Sequence, residues 1–91
     1  MHFVVYNVDR PDAGNLRAET RERHLDYVSG YEVVFGGPLL DADGEMCGSL
    51  IVVDLPSHDD AAVFAAGDPY ALAGLFAETS VTAFRQVIGS A

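Results

Sequence analysis

The chain has 91 residues, 49% of them hydrophobic, and a formal charge of −9 from five arginines and fourteen acidic residues. That length sets a single domain, 1–91, with a modest core and no disulfide framework, since Cys47 is the lone cysteine. The charge leaves no basic footprint for nucleic acid or an anionic membrane surface, and no segment is long and apolar enough to span a bilayer.

The elements follow from periodicity and punctuation. Phe3 to Val8 is β-branched and aromatic and reads as a buried strand. Asp9 to Asn15 is a loop by composition. Leu16 to Tyr31 reads as a helix whose apolar half-wheel carries Leu16, Thr20, His24, Leu25, Tyr27, Val28 and Tyr31, with Gly30 near its end. Glu32 to Leu40 reads as a strand in which Pro38 demands an edge, a bulge or a bend. After the polar turn Asp41–Glu45, Cys47 to Leu55 is the clearest strand. Ser57 is placed to cap a helix from His58 to Ala66, interrupted at Gly67. Asp68-Pro69 restarts the helix, because Asp caps and Pro suits the first helical position, and the run then reaches Ala77. Thr79 to Ile88 reads as the last strand.

The order is therefore β-α-β-β-α-β, the ferredoxin-like α+β pattern with an antiparallel sheet. Helices cover one face of such a sheet. The other face is rich in Val, Ile and Phe, so a homodimer with the two sheets facing each other is expected.

His24 falls in the middle of an apolar helix face, where an imidazole is more often a packed core residue than a catalyst. A buried imidazole needs a polar partner, and Asp68 is the best-placed carboxylate. Capping uses one carboxylate oxygen and leaves the other free for His24. Such a pair is an acid/base device, with histidine the natural base near neutral pH. The three histidines and Cys47 do not cluster at metal-ligand spacing, so no metal is expected. No basic leader precedes the first strand, which favours a soluble, cytoplasmic protein.

Six segments in this order and spacing carry a resemblance. They are Phe3-Val4-Val5-Tyr6, Arg21-Glu22-Arg23-His24-Leu25, Gly36-Gly37-Pro38-Leu39, Cys47-Gly48-Ser49-Leu50-Ile51-Val52, Asp68-Pro69-Tyr70, and Val81-Thr82-Ala83-Phe84. Together they resemble the YciI-like family of small dimeric α+β barrel proteins. The resemblance implies a ferredoxin-like protomer, a dimer, and an active site built on a His–Asp pair that lands on His24 and Asp68. It places the family's Gly-Ser pair on Gly48-Ser49. One class within the family is similar to chlorinated-hydroquinone dehydrochlorinases, which use no metal or organic cofactor.

The expected function is a cofactor-independent enzyme of lyase or isomerase type acting on a small aromatic or enolisable molecule. His24 is the expected base and Asp68 its orienter. Arg21, one turn before His24, pairs with an acidic neighbour or steers an anionic ligand. Gly36, Gly37 and Pro38 read as a strand bend, and a bend that lets backbone N–H groups face a pocket suits an anionic ligand. Ser49 offers a hydroxyl to a ligand or to His24, and Tyr70 packs or rims the pocket. The alternative is a non-catalytic small-molecule-binding module, or a dimeric regulatory module whose assembly is its function.

Overall fold

A computed structural model describes residues 1–89; the last two residues of the expected domain lie outside the described ones. The elements are β1 (His2–Asp9), α1 (Leu16–Val28), β2 (Glu32–Leu40), β3 (Met46–Asp54), α2 (His58–Gly67), α3 (Pro69–Leu72) and β4 (Phe76–Phe84). Taking α2 and α3 as one broken helix, the order is β-α-β-β-α-β. The four strands form an antiparallel sheet in the order β2-β3-β1-β4. This is the expected ferredoxin-like α+β fold.

Register explains which residues meet. Phe3, Val5 and Asn7 of β1 lie opposite Val53, Ile51 and Ser49 of β3. Alternation puts this set on one face. That face packs under the helices, where Phe3, Val5, Ile51 and Val53 join Ala61, Phe64 and Ala65 of α2 in the core. Tyr27, Val28 and Tyr31 close it from the side of α1. The core row becomes polar at Asn7 and Ser49, both buried, and Asn7 accepts a hydrogen bond of 2.8 Å from Thr79 Oγ1. The opposite face of the sheet carries Tyr6, Phe35 and Phe84, each roughly two-fifths exposed.

β2 is an edge strand, which accommodates Pro38 without loss of an interior ladder bond. Register shifts flank Val33/Phe35 and Leu39/Leu40, so the strand is both edge and bulged. Ser57 caps α2, accepting from the Asp60 N–H at 3.2 Å. The break after Gly67 falls where it was expected. Its glycine leaves room for Tyr27, whose hydroxyl donates to the Phe64 carbonyl at 3.1 Å; a Cβ at Gly67 would meet that hydroxyl at 2.6 Å. Burial pushes the Tyr27 phenol far up, so it stays protonated as a donor.

Four boundaries differ from the sequence reading by three residues or more. The first helix stops at Val28 rather than Tyr31, with Gly30 and Tyr31 closing tight turns onto the carbonyls of Tyr27 and Val28. The second helical run stops at Leu72 rather than Ala77, because Gly74 takes φ +78° and reverses the chain. Leu75 then enters the core and its carbonyl accepts from the Arg10 N–H at 2.8 Å. β4 consequently starts at Phe76 rather than Thr79 and ends at Phe84 rather than Ile88.

Gly48 sits where β1 and β3 approach closely. A Cβ there would overlap the Asn7 carbonyl oxygen and lie 2.9 Å from Leu39 Cδ1, whereas one at Gly37 would meet nothing within 4 Å. Gly48→Ala should therefore destabilise the fold by roughly 1–3 kcal/mol through overpacking, and Gly37→Ala should be close to neutral. Urea unfolding of both variants checks this; equal midpoints would show that the strands part without cost.

Candidate active site

The site is assembled by α1 on one side and the short α3 on the other. Asp68 is the N-cap of α3, and its Oδ1 accepts from the Tyr70 N–H at 2.9 Å. The same carboxylate receives His24 Nδ1 from α1, with both oxygens 2.9 Å away. Asp68 is 2% exposed and His24 9%, so the pair is shielded from water. Anchoring Nδ1–H on a carboxylate fixes the neutral tautomer and leaves Nε2 with the lone pair. Nε2 makes no hydrogen bond to the described residues. Tyr70 stacks on the imidazole with ring centroids 4.1 Å apart and an 18° tilt, which fixes the plane of the ring.

A cavity of about 220 Å³ opens beside this pair. His24 and Tyr70 line it, with Arg21 from α1, Gly37 and Pro38 from β2, and Ser49 from β3. Five residues singled out in the sequence as binding candidates thus share one wall system with His24. Asp68 does not line the cavity; it stands behind the imidazole. Ser49 makes its contact with Arg17, 3.3 Å away, and not with His24. Arg17 and Gly36 also line it, and the remaining wall is apolar, from Leu25, Val28, Val33, Met46 and Ile51.

Sequence reading missed Arg17 and Asp9. Arg17 Nε and Nη2 donate to the two Asp9 oxygens at 2.8 and 2.7 Å, a bidentate pair that is nearly buried on both sides. The Arg17 guanidinium lies 4.7 Å from the centroid of the Tyr70 ring. Burial alone would lower the Arg17 pKa; the hydrogen bonds and charge of Asp9 outweigh it and hold the pKa above the usual value. Burial pushes the Tyr70 phenol up, against the pull of Arg17. The signal for Arg17 was present: it lies seven residues before His24 and four before Arg21, on the same helical stripe. Asp9 gave no comparable signal, since in the sequence it only opens a polar loop of an acidic chain.

Among the described residues no group of three or more His, Cys, Asp or Glu side chains is gathered as a metal site. No helix of the described residues is long and apolar enough to cross a membrane.

A cavity beside a helix-borne histidine and an Asp-Pro-capped carboxylate, on a ferredoxin-like sheet, defines a class of small α+β proteins. The chain matches the YCII-related domain over residues 1–85 and belongs to that family. It is 27% identical to the protein YciI of Escherichia coli, covering 96% of this chain and 99% of that protein. It is 28% identical, over the same shares, to an uncharacterised protein of Haemophilus influenzae. Among solved structures it resembles the 5-chloro-2-hydroxyhydroquinone dehydrochlorinase TftG of Burkholderia phenoliruptrix, in complex with 2,5-dihydroxybenzoquinone. That likeness has a TM-score of 0.87 and 34% identity, covering 93% of this chain and 94% of the other.

Asp68 serves two partners, and substitutions separate them. Asp68→Asn should keep the α3 cap, because Asn caps as well as Asp. Asp68→Ala should lose about 1 kcal/mol of capping and roughly 1–3 kcal/mol more from the stranded His24 N–H. Urea unfolding of the two variants beside the parent checks the order Asn above Ala. If Ala is as stable as the parent, the carboxylate holds neither partner.

Proposed function

We propose that this chain is a small enzyme that uses His24 and Asp68 for proton transfer on a small organic substrate, without a resident metal or organic cofactor. The observation that carries this is the seating of Nδ1 on a buried carboxylate, which presents a lone-pair Nε2 on a ring that lines a cavity. Nε2 takes a proton from carbon or oxygen of the substrate. Asp68 stabilises the imidazolium that forms and holds its orientation. The proton returns to another atom of the substrate in an isomerisation. In an elimination, the C–H electron pair becomes a new double bond as the leaving group departs with its own pair.

The small-molecule reading is supported by the likeness to a dehydrochlorinase at 34% identity. It extends to aromatic or enolisable substrates and to a lyase- or isomerase-type reaction. Arg21, Gly37, Pro38, Ser49 and Tyr70 are assigned to binding because they line the cavity with His24. The reading includes a cytoplasmic location, which suits a chain with a single free cysteine.

The test is chloride release from 5-chloro-2-hydroxyhydroquinone, followed by ion chromatography. His24→Ala should lower the rate by roughly 10²–10⁴-fold, the usual worth of a positioned base. Asp68→Asn should be impaired with its fold intact. Release that is unchanged in His24→Ala removes the imidazole from the chemistry. Saturable binding without turnover selects the binding-module alternative.

The same reading assigns the working unit to a homodimer. Tyr6, Phe35 and Phe84 lie on the sheet face that the helices leave open, and a second copy of that face is the simplest apolar cover. Light scattering should give twice the chain mass, and Phe35→Glu should shift it toward the monomer. A folded monomer of the parent at micromolar concentration would refute the assembly.

A further inference from the structure

The two arginines of the cavity are held differently. Arg17 is neutralised and fixed: Nε and Nη2 are spent on Asp9, and Nη2 also reaches Ser49. Its guanidinium also engages the Tyr70 side chain, lying 4.7 Å from the centroid of that ring. Arg21, one turn further along α1, is exposed and lines the same cavity. It has no carboxylate within ion-pair distance among the described residues. Among the described residues no carboxylate lines the cavity; Asp9 is taken up by Arg17 and Asp68 by His24. In a chain with fourteen acidic residues against five arginines, Arg21 thus gives this cavity a cation that no lining carboxylate offsets.

The cavity is also graded. Residues 17, 21, 24 and 28 form one stripe of α1, running from cation through imidazole to Val28. The sheet repeats the gradient. Ser49 lies opposite Pro38 at the Arg17 end, and Val33 lies opposite Val53, four residues or about 13 Å further along β3. Between them Ile51 supplies an apolar floor. One end offers guanidinium N–H groups and a hydroxyl; the other offers Leu25, Val28 and Val33.

Resting on the proposed function of this same site, we propose that its substrate is a small organic monoanion. Its anionic oxygens bind Arg21, at the end of the cavity where Ser49 and the Asp9-held Arg17 also stand. Its apolar body lies over Ile51 toward Leu25 and Val33. That pose sets the atoms next to the anionic group beside His24. A neutral molecule of the same shape fills the apolar end and leaves Arg21 unpaired.

Benzoate and its neutral isostere benzamide are the probes, titrated into the purified chain by calorimetry and followed by amide NMR at Leu25, Val33 and Ile51. Benzoate should bind roughly tenfold or more tightly than benzamide, as a charge-assisted pair requires. Arg21→Gln should remove most of that preference and leave benzamide binding unchanged. Added salt should weaken benzoate and spare benzamide. Equal affinities, or a preference that survives Arg21→Gln, overturn the anion assignment while the proton-transfer reading stands. No perturbation of the cavity residues by either probe at millimolar concentration overturns it as well. Conversely, a benzoate preference in a chain whose turnover ignores His24→Ala keeps the anion site and removes the imidazole from the chemistry.

Discussion

The site depends on one carboxylate. Asp68 Oδ1 accepts from the backbone of Tyr70 and from His24 Nδ1, so a single group places both rings that stack at 4.1 Å. The local sequence makes this economical. Pro69 needs no partner for a missing N–H, and the first N–H left to cap belongs to Tyr70, whose side chain the cap then orients. A buried acid is costly unless its lone pairs are filled. Here the helix start and the imidazole fill them together, so the fold and the chemistry share one interaction.

Much of this was legible because it is local. Asp-Pro before an apolar turn, a strand of Leu-Ile-Val-Val and a glycine-proline edge each announce themselves over a few residues. His24 was legible because a polar ring on an apolar stripe needs an explanation, and the nearest one is a carboxylate on another element. The end of the second helical run was not legible. Ala71-Leu72-Ala73 favours a helix, and what stops it is tertiary: Gly74 reverses the chain, and Arg10 takes up both the Leu75 carbonyl through its backbone and the Gly74 carbonyl through its side chain. A contact across 64 residues leaves no local mark.

Arg17 shows the other kind of miss. Arg21 was singled out because it is a turn from His24, and the same reasoning carried one turn back reaches Arg17. What could not be read was the inversion of their roles. The nearer cation is exposed and unpaired, while the further one is nearly buried and paired with Asp9 across a loop. Loop conformation decides which arginine meets the acid, and the sequence of Asp9–Asn15 shows only that a loop is there.

The division of labour within the cavity follows from these pairings. Arg17 is held charged by Asp9, and the Tyr70 phenol is pushed toward its protonated form by burial. Neither group exchanges protons readily at neutral pH, so both act as fixed donors and fixed dipoles. The imidazole is the side chain on the wall whose ordinary chemistry is proton exchange in that range. Its Nδ1 is committed to Asp68, which leaves one nitrogen to work with. Around it the wall of β2 is built from Gly36, Gly37 and Pro38, and at Gly36 even a Cβ would crowd Leu50 and Ile51. The edge strand thus lends the cavity space by withholding side chains. Arg17 and the imidazole, held by Asp9 and Asp68, are already oriented before any ligand arrives, which lowers the cost of binding one.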